Sequence, residues 1–385
     1  MKRRTFARLG TLAAAGALAT SALPAQALST TARPRSGPGR WTYGGDMSTL
    51  TKTEAHGGAF HAADGTEADP LELLADAGMT MARLKVWVDP ADGSNSAETV
   101  LAMALRVKAL GLDLLVDFHY SDFWADPGRQ DKPAAWADLP FPRLVDAVHD
   151  HTHGLLSALR DQGTPADMVQ VGNEINGGML WPDGSTDDWG RLAELLAAGT
   201  SAVRDAAPGA EVMMHVAEGG DNALFRWWFD AAVDHGVDFD LIGVSYYPYW
   251  HGTLDDLRHN LDDISRRYRR DVLVVETAYG FTLEDADGHE NIFGADLRDV
   301  AGYPATPQGQ AAFLDDLADV VAAVPAGRGR GIVYWEPAWI AVEGNGWDPT
   351  DPGSGNAWEN QALFDYDHRL LPSASALAPR RRGRR

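Results

Sequence analysis

The chain of 385 residues contains no cysteine, which excludes disulfide bonds, thiolate nucleophiles and cysteine-based metal sites. It also lacks a long apolar run: the stretch from Leu9 to Leu23 is rich in alanine and too short for a stable membrane span. Basic residues are few, with 33 Lys and Arg against 55 Asp and Glu and a net charge of −22. We therefore expect neither nucleic acid nor an anionic membrane as a partner.

What the sequence does contain is enough apolar material for a large core. Hydrophobic residues make up 45% of the chain and charged residues 23%, which excludes global disorder. A chain of this length can form a single α/β barrel domain. Thirteen Trp and ten Tyr are many for a soluble enzyme, and aromatic rings commonly bind the faces of sugars. Sugars are therefore among the candidate ligands, and we expect the chain to be a monomer.

The two ends of the chain differ from the rest. Residues 1–27 predict a twin-arginine signal peptide, with Arg3-Arg4, an apolar stretch and the small-residue cleavage site Ala25-Gln-Ala27. We therefore expect a secreted, extracellular protein, and export of a folded chain fits the absence of cysteine. Residues 28–40 are predicted to be a linker, 41–375 a single folded domain and 376–385 a basic, disordered tail.

Between these ends, strand and helix patterns alternate, and the βα unit recurs eight times. That count predicts a single (β/α)8 TIM barrel. The alternative, an open doubly wound sheet, would need a glycine-rich phosphate turn after its first strand, which Gly44-Gly45-Asp46-Met47 does not supply. The predicted strands are Trp41–Gly45, Met79–Val88, Leu112–Phe118, Met168–Val171, Val212–Val216, Phe239–Ser245, Val272–Val275 and Gly331–Tyr334. The predicted helices are Pro70–Ala77, Ala97–Leu110, Pro142–Asp161, Asp187–Ala206, Ala223–His235, Leu254–Arg267 and Pro307–Val324.

Polar and aromatic side chains gather where the predicted strands end. The fourth strand leads into Asn173-Glu174, and the seventh ends in Glu276. In a TIM barrel these strand ends meet at one face, which is where barrel enzymes keep their chemistry. Further candidates at the other strand ends are Asp46, Arg83, Trp87, His119, His215, Tyr247, Trp250, Trp335 and Glu336.

The types of residue at these strand ends favour glycoside hydrolysis. The sequence has no His-Glu-x-x-His metal motif and no Gly-x-Ser-x-Gly nucleophile elbow. Paired carboxylates with aromatic residues are the usual equipment for cleaving a glycosidic bond, one as the acid and the other as nucleophile or base. Glu174 and Glu276 end strands that face each other across a barrel, but spacing alone leaves Glu336 as a rival for the second role.

Four longer motifs resemble glycoside hydrolase family 53, a family of secreted arabinogalactan endo-β-1,4-galactanases. They are Asp117–Pro127, Val169–Gly178, Ser245–Thr253 and Tyr334–Trp339, and the resemblance extends from about Tyr43 to Pro372.

The resemblance implies a retaining (β/α)8 enzyme with Glu174 as the general acid/base and Glu276 as the nucleophile. Asn173 would then bind the sugar 2-hydroxyl and Trp335 would form the floor of the sugar site. Arg83 and Tyr247 would hold Glu276 in place. Asp46, Trp87, His119 and Trp250 complete the expected substrate-binding set, with Trp87 and Trp250 as aromatic contacts.

These roles carry an expectation for the two pKa values. Arg83 near Glu276 should lower the pKa of the nucleophile, while burial and a neighbouring negative charge should raise that of Glu174. Two alternative functions stay open at this stage. One is another retaining β-1,4-glycanase of the same clan, such as a mannanase or cellulase. The other is a polysaccharide-binding barrel without catalysis.

A loop after the seventh strand predicts a structural calcium site. Asp285, Asp287, His289 and Asn291 offer oxygen atoms at alternate positions, which allows a loop to wrap a hard cation. A solvated acidic loop explains the same spacing equally well. Members of the resembled family bind calcium there, with the histidine contributing its backbone carbonyl. Asn356 and Glu359 would complete the shell, although the family pattern has Ser and Asp at those positions.

Overall fold

A computed structural model describes residues 41–351 and 353–378 and contains the predicted closed barrel of eight parallel strands. The strands are β1 (Thr42–Asp46), β2 (Met81–Val86), β3 (Asp113–Phe118), β4 (Met168–Val171), β7 (Glu211–Val216), β8 (Leu241–Ser245), β9 (Asp271–Glu276) and β10 (Gly329–Tyr334). β5 (Gly178–Met179) and β6 (Gly184–Ser185) form a separate two-stranded hairpin. The strand order β1-β10-β9-β8-β7-β4-β3-β2 closes on itself, which makes β4 and β9 the fourth and seventh strands of the barrel.

Helices surround the barrel as the periodicity predicts. They are α1 (Leu50–Ala55), α2 (Pro70–Asp76), α3 (Ala97–Ala109), α4 (Phe141–Asp161), α5 (Trp189–Ala206), α6 (Asn222–Asp234), α7 (Leu254–Tyr268), α8 (Ala295–Ala301) and α9 (Pro307–Ala322). The seven predicted helices are confirmed within two residues at each end, whereas α1 and α8 were not predicted. No helix in the described part of the chain is long and apolar enough to cross a membrane.

Strand alternation divides the barrel interior into two layers. Side chains on one face of a strand recur every second residue, so a strand that starts with an apolar inward residue can carry polar ones further along. In β2, Met81 belongs to an interior apolar cluster, and Arg83 and Lys85 follow at the same alternate positions, both 1% exposed. The apolar layer consists of Met81, Leu115, Met168, Met213, Leu241, Leu273, Val275 and Val333. The second layer, nearer the carboxyl ends of the strands, is polar.

A larger apolar core fills the space between the strands and the helices. Because the barrel strands are covered on both faces, their near-continuous apolar pattern is the one expected for buried parallel strands. The core includes Leu377, which is 1% exposed, and Trp41 donates a hydrogen bond from Nε1 to the Leu377 carbonyl at 3.0 Å. The packed domain thus extends past the predicted boundary at 375. The predicted signal peptide, the predicted linker and residues 379–385 of the tail lie outside the described residues.

Candidate active site

Glu174 and Glu276 lie side by side in a cleft of about 440 Å³ at the carboxyl ends of the strands. Glu174 comes three residues after β4, and Glu276 is the last residue of β9. One carboxylate oxygen of Glu174 and one of Glu276 lie within 4.8 Å of each other. Both side chains are largely buried, and both line the cleft.

A strained turn brings Glu174 into the cleft. Its φ of 47° lies in the left-handed region, which is costly for a residue with a side chain, and Gly172 just before it has a φ of 86°. A Cβ atom on Gly172 would lie 2.7 Å from Ile175 Cγ2, so glycine is required there. The Glu174 backbone N–H donates to His215 Nδ1 at 3.3 Å, which holds the turn in place.

Arg83 is the central positive charge of the site, buried to 1% exposure. Its Nη2 lies 2.8 Å from Glu276 Oε1 and 2.8 Å from Asp117 Oδ2. Its Nη1 lies 2.7 Å from Asp46 Oδ2. One guanidinium group is therefore shared by three buried carboxylates.

This sharing decides the pKa values of the pair. Burial raises the pKa of Glu174 well above its usual range, and the charge of Glu276 raises it further. Burial also raises the pKa of Glu276, to about 7, because the attraction of Arg83 is outweighed by burial together with Asp117 and Asp46. Arg83 lowers the pKa of Glu276, as predicted, but the net pKa of Glu276 is raised and not lowered. The pKa of Glu174 is nevertheless the higher of the two, as expected, so the proton that the pair retains near neutral pH belongs on Glu174.

Tyr247 binds one of the two carboxylates directly, and Asn173 binds Arg83. Tyr247 donates from its hydroxyl to Glu276 Oε2 at 3.2 Å. Asn173 Oδ1 accepts from Arg83 Nη2 at 2.8 Å, and Asn173 Nδ2 donates to the Ala125 carbonyl at 2.8 Å. The second hydrogen of this amide is free to meet a substrate, because Asn173 lines the cleft.

Glu336 has partners different from those of Glu174 and Glu276. Its Oε1 pairs with the buried ammonium group of Lys85, and its Oε2 accepts hydrogen bonds from the backbone and hydroxyl of Thr49. The Lys85 Nζ atom lies 4.2 Å from the centre of the Trp124 ring and 6.0 Å from that of Trp335. Glu336 thus pairs with Lys85 next to two tryptophans, whereas Glu276 pairs with Arg83.

Trp335 joins the cleft to a second, aromatic cavity of about 350 Å³. Its ring centre lies 4.6 Å from that of Trp358 and 5.8 Å from that of Trp124. Such a set of apolar faces is suited to stacking on sugar rings. The tryptophans that line this cavity are Trp124, Trp335, Trp339, Trp347 and Trp358.

Two predicted substrate contacts serve as supports instead. Trp87 is 1% exposed and does not line the cleft; its Nε1 donates to His119 Nδ1 at 3.3 Å, and its ring packs beneath Phe123 and Trp124. Asp46 is fully buried and binds Arg83. Both were assigned to the substrate-binding set through the family resemblance. The loop after β3 buries Trp87, which is why its ring does not line the cleft in this structure.

His119 and Trp250 do line the cleft, as predicted. His119 Nδ1 accepts from Trp87 Nε1 and from the Ala125 backbone N–H, so its Nε2 carries the proton and donates to Asp117 Oδ2 at 2.9 Å. Trp250 is 46% exposed and packs its edge on Tyr247, with ring centres 5.5 Å apart. It forms one wall of the cleft.

The predicted calcium residues bring two loops together. Oxygen atoms of Asp285, Asp287 and Glu359 all lie within 4.8 Å of one another. Asp287 Oδ2 accepts from the Asn356 backbone N–H at 2.7 Å. The loop after β9 thus meets the segment that follows β10, as the sequence predicts.

Two buried oxygen atoms near this cluster have no hydrogen-bond partner. They are Glu359 Oε2 and Asn291 Oδ1. Burial raises the pKa of Glu359, and the charges of Asp287 and Asp285 add to the rise. Unpaired carboxylate and amide oxygens are the donors that a hard cation prefers, so the residues fit calcium.

Asn356 does not fit the predicted ligand set. Its Oδ1 accepts from the Trp358 backbone N–H at 3.0 Å, and its Nδ2 donates to the Trp339 carbonyl at 2.8 Å. Its side chain is therefore used to fold the loop. The His289 side chain lies against Gly355, where an added Cβ would come within 2.3 Å of the His289 Cβ. The role of the His289 backbone carbonyl as a donor stays a prediction.

No role was assigned from the sequence to Lys85, Gln170, Trp347 or Trp358, or to Ser245 beyond its place in a motif. Lys85 and Gln170 are polar residues inside predicted apolar strands, and that conflict was an available signal. Trp347 and Trp358 lie in the long segment after β10, which has little regular structure. Nothing in the local pattern indicates where such a segment folds back.

Comparisons with known proteins agree with this geometry. The sequence model of Glycosyl hydrolase family 53 matches residues 42–377. An uncharacterized protein of Niallia circulans is 44% identical over 342 residues, covering 87% of this chain and 92% of its own length. The arabinogalactan endo-β-1,4-galactanase of Thermothelomyces thermophilus is 35% identical over 346 residues, covering 87% and 98%. The solved GH53 catalytic domain of Ignisphaera aggregans has a TM-score of 0.85 and 42% identity, covering 89% of this chain and 96% of that domain.

Proposed function

Because this chain belongs to glycosyl hydrolase family 53, and is therefore a glycoside hydrolase, we propose that it is a secreted, retaining endo-β-1,4-galactanase acting on the galactan backbone of arabinogalactan. The observation that carries the mechanism is the short distance between Glu174 and Glu276, within 4.8 Å. Retaining glycosidases hold their two carboxyl groups about 5–5.5 Å apart, while inverting enzymes leave about 6.5–9.5 Å for a water molecule. The similarity to a named galactanase supports the substrate.

The first step forms a covalent intermediate. A carboxylate oxygen of Glu276 attacks C1 of the galactosyl unit, and the bond from C1 to the glycosidic oxygen breaks. The electron pair stays on that oxygen, which takes the proton of Glu174 and leaves as the 4-hydroxyl of the departing chain. Arg83 and Tyr247, which bind the two oxygens of Glu276, hold the attacking carboxylate in a fixed direction.

The second step returns the enzyme to its starting state. Glu174, now ionised, accepts a proton from a water molecule whose oxygen attacks C1. The ester bond breaks and its electron pair returns to Glu276. Two inversions at C1 give net retention. Asn173, beside Glu174 in the cleft, is in position to bind the 2-hydroxyl through its free amide hydrogen.

Substrate selection supplies a first prediction. We expect the protein to release reducing ends from β-1,4-galactan and to leave cellulose and mannan almost untouched. The axial 4-hydroxyl of galactose bends the galactan chain, so a cleft walled by Trp250 and Trp335 and shaped to that chain should misplace the straighter cellulose chain. Reducing-sugar assays on the three polymers at equal mass concentration test this.

The same assay separates the two alternative functions. Comparable rates on galactan and cellulose would contradict the substrate proposal and favour a broader β-1,4-glycanase. Binding of galactan without any release would favour a non-catalytic barrel. A Glu194→Ala variant, altered at an exposed position on α5, serves as the matched surface control.

We also propose that the chain carries the twin-arginine signal at residues 1–27 and a structural calcium ion. Asp285, Asp287, Asn291 and Glu359 would hold the ion through side-chain oxygens, and His289 through its backbone carbonyl. Two buried oxygens without partners support this assignment. The ion would join the loop after β9 to the segment after β10, both of which border the aromatic cavity through Ile292 and Trp358.

Chelation supplies a second prediction. Removing calcium with a chelator should lower Tm by several degrees, because a ligand present at a hundred times its Kd stabilises the folded state by about 2.7 kcal/mol. The measurement is differential scanning calorimetry with and without chelator, on wild type and on Asp287→Asn. The variant should begin at the lower Tm and no longer respond.

Asp150→Asn is the matched control, since Asp150 lies on α4 with its side chain 80% exposed. It should respond to the chelator as wild type does. A wild-type Tm that is unchanged on chelation would remove calcium from the proposal.

A further inference from the structure

Ser245 and His215 form a buried chain of polar contacts that ends on the acid of the catalytic pair. Ser245 is the last residue of β8, and His215 lies in β7; neither is exposed to solvent. The Ser245 hydroxyl oxygen lies 2.5 Å from Glu174 Oε1 and 2.8 Å from His215 Nε2. A serine hydroxyl has one hydrogen, so it can donate to only one of these two neighbours.

The protonation of His215 decides which neighbour receives that hydrogen. The Glu174 backbone N–H, which can only donate, points at His215 Nδ1 from 3.3 Å. Gln170 Nε2 also points at this atom, from 2.8 Å. The orientation of that amide is set on its other side, where Gln170 Oε1 accepts from Arg83 Nη2 at 3.3 Å. Two donors therefore converge on His215 Nδ1.

One acceptor also lies near this nitrogen and must be weighed. Asn173 Oδ1 is 3.0 Å from His215 Nδ1. That oxygen already accepts from Arg83 at 2.8 Å and from Gln170 Nε2 at 2.9 Å, so it does not need a hydrogen from His215. An unprotonated Nδ1 can accept from the two donors, whereas a protonated Nδ1 would direct its own hydrogen at both of them.

Burial, assisted by the charge of Arg83, favours a neutral ring. Burial holds the pKa of His215 well below its usual range, and Arg83 adds to the lowering, opposed by Asp117. His119 and His251 lower that pKa as well. Two carboxyl groups also face the ring, since a carboxylate oxygen of Glu174 and one of Glu276 each lie within 4.8 Å of a ring nitrogen. A neutral ring with an unprotonated Nδ1 must carry its hydrogen on Nε2.

These contacts fix a direction for the whole chain. His215 Nε2–H donates to the Ser245 oxygen, and the Ser245 hydroxyl donates to Glu174 Oε1. We propose that His215 and Ser245 are positioning residues that keep Glu174 Oε1 as an acceptor and so confine the acidic proton of that carboxyl group to Oε2. The inference rests on the proposed role of Glu174 as general acid and base.

The consequence for the reaction is specific. A carboxylic acid can carry its proton on either oxygen, and only one of them meets the glycosidic oxygen at a time. Because Oε1 is occupied, the proton given to the leaving group comes from Oε2, and the water proton of the second step returns there. The hydrogen bond from Ser245 also favours the ionised form of Glu174 and so opposes the rise in its pKa, whereas Glu276 and Asp126 increase that rise.

A titration of Glu174 tests this third prediction without any substrate. Carbon-13 NMR of the labelled Glu174 carboxyl, assigned by its loss in Glu174→Gln, gives its pKa in the intact protein. Ser245→Ala should raise that pKa by about one unit, as expected for loss of a hydrogen bond to a charged group. Ser245→Thr keeps the hydroxyl and should leave the pKa where it is. An unchanged pKa in Ser245→Ala would overturn the inference.

The tautomer of His215 provides a second, independent readout. Nitrogen-15 NMR of the wild-type imidazole should report a hydrogen on Nε2 and none on Nδ1. A hydrogen on Nδ1 would let Ser245 donate to His215 instead, and the inference would fall.

Activity then separates this inference from the proposed function. In Ser245→Ala the kcat on galactan should fall about tenfold with little change in KM, and the alkaline limb of kcat/KM should move up by about the same one pH unit. Formation of the glycosyl enzyme from an activated aryl galactobioside, whose leaving group needs no proton, should be unaffected. An equal loss of rate on galactan and on the aryl galactobioside would overturn a role of Ser245 in placing the proton. If the wild type fails to cleave galactan, the proposed function falls, while the two NMR measurements still decide the inference.

Discussion

Glu276→Ala is expected to reduce galactan cleavage on the order of 10⁵-fold, the scale found when a catalytic nucleophile is removed. The reason is geometric: Glu276 ends β9 at the floor of the cleft, with one oxygen bound by Arg83 and the other by Tyr247. The alanine leaves a space in which a small anion can sit. Azide should then attack C1 from the face opposite the leaving group and give a galactosyl azide of inverted configuration.

Glu174→Ala should respond differently to the same anion. With an activated aryl galactobioside the first step needs no acid, so the glycosyl enzyme forms and azide intercepts it with retained configuration. Proton NMR of the two azide products distinguishes the nucleophile from the acid. Glu194→Ala, at an exposed position on α5, should cleave galactan at the wild-type rate. Release of inverted sugar by wild type would contradict the assignment of Glu276 as nucleophile.

Arg83→Met should both destabilise the fold and abolish turnover. Arg83 is the common partner of Asp46, Asp117 and Glu276, all buried. Removing one partner of a buried ion pair typically costs about 3–5 kcal/mol, because the remaining charge is left without compensation. We expect a loss of that size in the free energy of unfolding measured in urea near neutral pH. Turnover should fall at least about 10³-fold, because Glu276 would no longer ionise or be held in place.

The pH dependence of this loss follows from the sign of the pKa shifts. Burial opposes ionisation of Asp117, but Arg83 and then His119 hold its pKa below the usual range. Without Arg83, burial would raise that pKa above the unfolded value, and the already raised pKa of Glu276 would rise further. A carboxyl group whose pKa is higher in the folded than in the unfolded state stabilises the fold at a pH below its unfolded-state pKa, about 4. That contribution is lost as the pH rises through the folded-state pKa. The deficit of Arg83→Met should therefore be small near pH 4 and largest above pH 7.

Arg83→Lys is the conservative control. It keeps the positive charge but cannot reach three carboxylates with the same planar fork, so it should recover more of the stability than of the activity. A deficit in Arg83→Met that is equal at pH 5 and pH 8 would show that Arg83 acts by packing and not by charge.

The eight strands could be predicted because each is a short apolar run bounded by turn residues, and burial on both faces makes that pattern strong. Helix ends were also recognisable, because a glycine with a positive φ follows several helices. These glycines are Gly78, Gly111, Gly163 and Gly236. The two missed helices show the limit of the same signal. α8 has no buried residue and therefore no apolar periodicity, and α1 has only two in six.

The chemistry of the site could be predicted in kind because carboxylates at strand ends converge whenever parallel strands close into a barrel. The choice of Glu276 over Glu336 was different. The spacing of the sequence left Glu276 and Glu336 as candidates for the second carboxylate role. The resemblance to a family favoured Glu276. In the structure the two carboxylates differ in their partners: Arg83 and Tyr247 bind Glu276, whereas Lys85, 251 positions away in the chain, binds Glu336.

The sequence by itself thus determined the barrel, its strand order in outline and the residue types at its carboxyl end, because alternation, apolar runs and turn residues act over a few neighbouring positions. Only the tertiary structure decided which of those residues face the cleft. The loop after β3 covers Trp87, and Asp46 forms an ion pair with Arg83. The long segment after β10 contributes Trp347 and Trp358 to the aromatic cavity. The pKa of Glu276 was decided in the same way, since one arginine shared by three buried carboxylates is a property of the closed barrel and of no single strand.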